Sequence, residues 1–218
     1  MKNYRRKYII FSVMITVCCL HYSCYNNLEV EDETVRLVKS YANNSTENKE
    51  LTVLLARQSF EANVKILDSD TIVDSQIAKV KPNWSFAKEN SNKYYEAVEV
   101  PLMTRGKRMI VDEETRNHFD ELKGQKSFRN VCRLVVLKNL KTGYIRSFIA
   151  IFIGSYDYLK SGKNILKNSY LYREPDFDGK VLFYRLDGRM INGWKYKDGK
   201  IVGKIKPIND EVRFLIKL

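Results

Sequence analysis

The sequence predicts an α+β fold, an antiparallel β-sheet or meander with one or two helices packed on one face. Three observations carry this. An apolar stripe of helical period runs from residue 51 to residue 67. From Tyr94 onward the pattern changes to period two and to β-forming residues. The last third is punctuated by turn signals at Asp187-Gly188 and Asp198-Gly199. The 218 residues, 44% hydrophobic and 12% aromatic, suffice for one core of ordinary globular composition.

Each element follows from local chemistry. Residues 25–49 are polar, with Asn43-Asn44-Ser45-Thr46-Glu47-Asn48 as a loop signal, and read as a tether with helical character around 31–42. The globular domain begins near Glu50 and runs to the end of the chain, 50–218. Val53, Ala56, Phe60, Val64 and Leu67 share one face of a helix. Pro82 to Phe86 form a loop whose Trp84 and Phe86 plug the core edge. Tyr95 to Leu102 make a strand that closes at Pro101. Asp112, followed by Glu113 and Glu114, starts a short helix that reaches about Lys123. VCRLVVLKNLKTGYIRSFIAIFIGS gives two long strands about a turn from Asn139 to Gly143. Residues 148–153, FIAIFI, are apolar on both faces, as a central, doubly covered strand requires. A meander follows, and then a last short strand from Val212 to Ile216.

The N-terminus reads as a processing signal. MKNYRRKY is a basic stretch, IIFSVMITVCCL an apolar run at residues 9–20, and His21-Tyr22-Ser23 leads to Cys24. That is the layout of a secretory signal peptide over 1–23, and the run falls short of the ~20 apolar residues a spanning helix needs. The stretch resembles the lipobox of bacterial lipoproteins, in which the cysteine after the cleavage point receives a diacylglyceryl thioether and then an N-acyl chain such as palmitate. Cys24 is the candidate lipidation site, with the small Ser23 before it. The usual leucine three residues upstream is His21 here, and Leu20 stands one place further away. The run YNNLEVEDETV after Cys24 looks like the acidic tether of Bacteroides-type surface lipoproteins. The segments KYYEAVEVPL and 131–154, with the C-terminal LDG…NGW…GKI pattern, resemble a recurrent group of Bacteroides-type lipoproteins from about Ala56 onward. The resemblance implies the anchor and the class and assigns no activity.

The charge is uneven. Lys and Arg number 38 against 26 acids; without the four bases of the leader, 34 bases face 26 acids, a net +8. Residues 101–170 hold 14 bases against 6 acids. Such an excess suits an anionic glycan or lipid surface as well as solvated strand and turn surfaces. The export signal argues against nucleic acid as a partner.

Candidate chemistry is sparse. Beyond the leader the chain has one histidine, His118, and, apart from Cys24, one cysteine, Cys132. Cys132 alternates with strand residues and reads as a small core residue. The ligand types of a typical zinc site are too few. Pro175-Asp176-Phe177-Asp178-Gly179 has a trace of a calcium loop but lacks the third acid and distal Glu, and reads as a turn. One Tyr-x-Leu-Asp-Gly, Asn-Gly-Trp unit is similar to choline-binding repeats, which need several stacked copies. Tyr156, Tyr158, Lys160, Tyr170 and Tyr172 interleave aromatics with bases and are the candidate ligand-binding surface. The expected protein is a lipid-anchored envelope protein of the outer membrane, on its surface or periplasmic side. It is expected to be a noncatalytic binding or scaffolding module that meets the membrane through its anchor and a glycan or another envelope protein, with no cofactor. The alternative is an envelope hydrolase acting on glycan or cell-wall material through carboxylates the sequence does not single out.

Overall fold

The computed structural model describes residues 50–69, 81–103, 111–125, 128–129 and 131–207, all within one compact unit, Ala42–Leu218. The leader, Cys24, the tether and the expected strand at Val212 to Ile216 lie outside the described residues.

The apolar stripe forms α1, Val53–Ser69. Thr52 starts it, its hydroxyl accepting from the Leu55 N–H at 3.3 Å. Two carboxylates from the sheet take further N–H groups there: Glu89 accepts from Val53 N–H at 2.8 Å and Glu96 from Leu51 N–H at 2.9 Å. Ala56 and Phe60 are buried, and Val53 and Val64 pack beside them, as the period predicts. Trp84, in a single 3₁₀ turn, packs against Phe60 with ring centroids 6.0 Å apart, whereas Phe86 is 64% exposed and plugs nothing.

Among the described residues eight strands form one antiparallel sheet. They are β1 Lys81–Pro82, β2 Lys88–Ser91, β3 Tyr95–Met103, β4 Val131–Asn139, β5 Ile145–Gly154, β6 Gly179–Tyr184, β7 Met190–Lys197 and β8 Lys200–Ile205. Their order is β1-β3-β4-β5-β6-β7-β8, with β2 also paired to β3. β3 runs past Pro101, because this proline sits at the end of its ladder with β4, opposite Arg133, where a missing N–H costs least. β5 lies mid-sheet, and residues 148–153 are all buried, as their two-faced apolar pattern requires. In the β4–β5 turn Asn139 Oδ1 accepts from the N–H groups of Lys141 and Thr142 at 2.9 and 3.1 Å, and Gly143 takes φ 69°. At the β7–β8 turn Asp198 and Gly199 both have positive φ, 48° and 68°, the conformation of a two-residue hairpin loop.

Asp112 caps α2, Glu113–Asn117, by accepting from Thr115 N–H at 2.9 Å. The helix expected to run on to Lys123 breaks at His118 and resumes as α3, Phe119–Leu122. Strand alternation sorts the core into two clusters. Ala97, Val131, Val135, Phe148, Phe152 and Val181 join Leu122, Tyr156, Tyr158 and Leu159. Val98, Val100, Leu134, Val136, Ile149 and Ile151 join Leu51, Ala56 and Phe60. Sheet and helices make the fold α+β and mostly sheet; α1 contributes to one cluster and the short helical segments to the other, so the expected packing of helices on one face is not established.

Candidate functional site

Residues 155–178 lead from β5 back to β6, and this crossing carries all five positions of the candidate ligand-binding surface. It opens with α4, Tyr156–Lys160, capped by Ser155, whose hydroxyl accepts from Tyr158 N–H at 3.3 Å. A 3₁₀ turn follows at Ile165–Lys167, capped by Asn164 Oδ1, which accepts from Leu166 N–H at 3.0 Å.

The five residues do not share one platform. Tyr156 and Lys160 meet at one corner. The Tyr156 ring lies 4.6 Å from that of His118, its hydroxyl donates to Glu121 Oε2 at 2.5 Å, and Lys160 Nζ donates back to that hydroxyl at 3.0 Å. Lys160 also stands 3.5 Å from Glu121. His118 Nδ1 is 3.0 Å from the Glu114 carbonyl oxygen, which can only accept, so Nδ1 carries the proton. The Tyr156 hydrogen bond, ahead of the charges on Lys160 and His118 and against some desolvation, holds Glu121 below the usual carboxylate range. The same hydroxyl, with Glu121, raises Lys160.

Tyr158 is buried edge-on to Phe177, ring centroids 5.4 Å apart, and its hydroxyl accepts from Asn168 Nδ2 at 3.4 Å. Tyr170 packs 5.1 Å from Phe148 and 5.9 Å from Phe183, and burial pushes its phenol up to about 12. Of the four candidate tyrosines Tyr172 is the exposed one, at 51%, and its hydroxyl donates to Glu174 at 3.2 Å. Tyr156, Tyr158 and Tyr170 pack on the core because the crossing buries its apolar positions against β5 and β6, so the five residues do not form one row of exposed rings.

Beneath the crossing lies a buried charged network that sequence reasoning missed. Glu99 on β3 and Arg133 on β4 are both buried. Arg133 donates from one nitrogen to Glu99 Oε2 at 2.8 Å and to the Asn168 carbonyl at 2.7 Å, and from the other to the Leu166 carbonyl at 3.1 Å. Glu99 Oε1 accepts from Tyr170 N–H at 2.7 Å and from Asn90 Nδ2 at 3.4 Å. Asn168 Oδ1 accepts from Glu174 N–H at 3.0 Å. The Arg133 and Arg173 guanidiniums both lie over the Phe152 ring, at 5.3 and 4.9 Å, and burial pulls Arg173 down from the usual arginine range. The signal for this network was present. Glu99 and Arg133 are charges set among apolar neighbours in β-period runs, at positions whose face alternates with buried residues.

The groups considered for catalysis are placed otherwise. Cys132 packs with the cluster that holds α1, and His118 stacks on Tyr156 in the other cluster, so the sheet separates them. Burial pushes the Cys132 thiol up to about 12, which suppresses the thiolate a nucleophile needs. Pro175-Asp176 form a turn, Phe177 enters the core, Asp176 pairs with Lys163 at 3.2 Å and Asp178 pairs with Lys197. Among the described residues no three His, Cys, Asp or Glu side chains come together as a metal-ligand set, and no helix is long and apolar enough to cross a membrane. No family model matches the chain, and the comparisons with curated proteins and with solved structures return no match.

Proposed function

We propose that this chain is a lipid-anchored protein of the outer membrane whose α+β domain is a noncatalytic binding or scaffolding module. The observation that carries the reading is the N-terminal order of basic stretch, short apolar run, small residue and cysteine, ending at Cys24. Two or more acyl chains on one residue anchor a protein stably where a single chain does not. The long helix α1 is read as the cover of one sheet face, supported by Ala56 and Phe60 sharing a cluster with Val98, Val100 and Leu134.

The noncatalytic part rests on how the ionisable groups beneath the crossing are used. Glu99 takes three donors and Arg133 serves three acceptors, so their charges are spent holding backbone in place. A hydrolase acting on glycan needs a carboxyl raised toward neutrality to serve as general acid. Among the described residues, Glu121 and Asp187 are held below the usual carboxylate range, the opposite direction.

The test is the intact mass of the chain from the membrane fraction of a Gram-negative host, beside Cys24→Ala. A mass that begins at Cys24 with acyl chains added, and is lost in the variant, is the expected result. An unmodified chain beginning at Met1 would overturn the envelope reading.

A further inference from the structure

We infer that the end of the sheet formed by the β2–β3 and β4–β5 turns rests on the lipid bilayer, with Tyr94 and Leu140 entering its interface. The inference rests on the proposed function, since the anchor is what brings a bilayer to the domain, and it adds the surface that meets it. Register sets both turns at one end: Tyr95 is paired with Asn139, and the Leu140 N–H donates to the Tyr94 carbonyl at 2.9 Å. Asn92 Oδ1 accepts from the Tyr94 and Tyr95 N–H groups, each at 2.9 Å, as Asn139 accepts from Lys141 and Thr142. These asparagines meet the backbone needs of the turns, so turn chemistry asks for no apolar residue beside them. Yet Tyr94 is 41% exposed and Leu140 43%. Apolar residues exposed singly are ordinary, but these two stand on tips whose backbones are joined. Lys93 Nζ lies 4.7 Å from the Tyr94 ring centroid, and Lys141, next to Leu140, is exposed. Of the acids at this end, Glu96 is taken up by the Leu51 N–H and Lys138, Asp187 by Arg185 and Arg189, and Glu50 is exposed.

Two observations choose a bilayer over other occupants. The described chain joins the domain at this end. Leu51 N–H donates to Glu96 Oε2 at 2.9 Å, and Glu96, two residues past Tyr94, is paired with Lys138, two residues before Leu140. A chain anchored at Cys24 therefore enters the domain beside the tips. The tips are also small and convex. Two side chains fall far short of the roughly 1,000 Å² that a specific protein interface buries. A surface that an anchor already holds close needs no such area, because the second contact is then intramolecular. Lysine beside Tyr and Leu suits that surface, with ammonium groups among the phosphates and the apolar groups below them. A sugar would need an open ring, and Lys93 already lies over one face of Tyr94.

The test is fluorescence quenching of the full chain, recovered from the membrane fraction and held in vesicles of phosphatidylcholine and phosphatidylglycerol whose acyl chains carry bromine near the headgroup. Tyr94→Trp and Leu140→Trp put a reporter on each tip. Val202→Trp, at a residue 63% exposed near the β7–β8 turn, puts one at the opposite end of the sheet. Emission is read above that of wild type, which contains Trp84 and Trp194. Both tip reporters are expected to lose emission on brominated relative to plain vesicles, and Val202→Trp to keep it. Tip reporters that keep their emission, or a Val202→Trp reporter that loses as much, overturn the inference. If one tip variant unfolds at a lower temperature than wild type, the other decides. The intact mass of the same sample reads the anchor separately. An acylated chain with unquenched tips sinks this inference alone, an unmodified chain with quenched tips sinks the acyl anchor alone, and a chain that leaves the vesicles sinks both.

Discussion

Replacing Arg133 by methionine tests whether the buried network holds the crossing in place. The variant keeps most of the side chain's volume and removes its charge. It deletes three donated hydrogen bonds, at 2.8, 2.7 and 3.1 Å, and leaves Glu99, whose side chain is 1% exposed, with Tyr170 N–H and Asn90 as partners. Removing one partner of a buried ion pair costs about 3–5 kcal/mol. Urea unfolding followed by circular dichroism should show that loss as a lower midpoint at unchanged slope. The double variant Glu99→Met with Arg133→Met sharpens the point. Isolated buried pairs often tolerate hydrophobic replacement. Here the pair also serves the Leu166 and Asn168 carbonyls and the Tyr170 N–H, and each orphaned group costs about 1–3 kcal/mol. The double variant should therefore stay at least about 3 kcal/mol below wild type. A loss under about 1 kcal/mol in the single variant, or a double variant as stable as wild type, would refute the reasoning.

Two further outcomes follow from the β6–β7 region. Burial works to raise Asp187, but hydrogen bonds from the Arg189 guanidinium and N–H, with the charges of Arg185 and Arg189, outweigh it and depress the carboxyl. A depressed carboxyl contributes stability that is present above its unfolded value near ~3.9 and is lost as pH falls through the folded value. Urea midpoints measured from pH 6 down to pH 2 should fall less steeply below pH 4 in Asp187→Asn than in wild type, and parallel curves would contradict this. Gly179 has φ 153°, and a Cβ there would lie 2.1 Å from the Ile153 carbonyl oxygen, so Gly179→Ala should destabilise by about 3 kcal/mol or more, read in the same unfolding experiment.

The elements legible in the sequence are those whose cause is local. The stripe of α1, the Asp112 cap, the Asn139 to Gly143 turn, the two-faced burial of β5 and the Asp198-Gly199 hairpin all follow from spacing or turn chemistry within a few residues. The short strands β1 and β2 were not legible. Their residues, Lys81-Pro82 and Lys88 to Ser91, are poor strand formers and are extended because β3 offers them an edge. The placement of the tyrosines of the crossing was not legible for a related reason. Interleaving with lysine reads as an exposed aromatic surface, but α4 turns Tyr156 and Tyr158 toward the sheet, and Tyr170 is drawn inward by the bond from its N–H to Glu99, 71 positions earlier. No window of sequence carries a contact of that separation.

The misplaced charges and the irregular crossing explain each other. A segment without helix or strand that lies on a sheet brings carbonyls and N–H groups that neither a ladder nor water can serve. Residues 164–174, irregular apart from the single 3₁₀ turn at Ile165–Lys167, are close to such a segment, and the strands beneath supply what it lacks: a planar fork from Arg133 for the two carbonyls and a carboxylate from Glu99 for the N–H. A pair of apolar residues would suit the strands better and would leave the crossing without partners. The charge on β3 and β4 is therefore set by a segment more than thirty residues further along the chain, and it fixes one conformation of that segment. The same logic separates the two sets of charges in this molecule. Glu99 and Arg133 face backbone that needs them, so their function is internal. Lys180 and Lys195 face each other across interior strands, and no described group answers their charge.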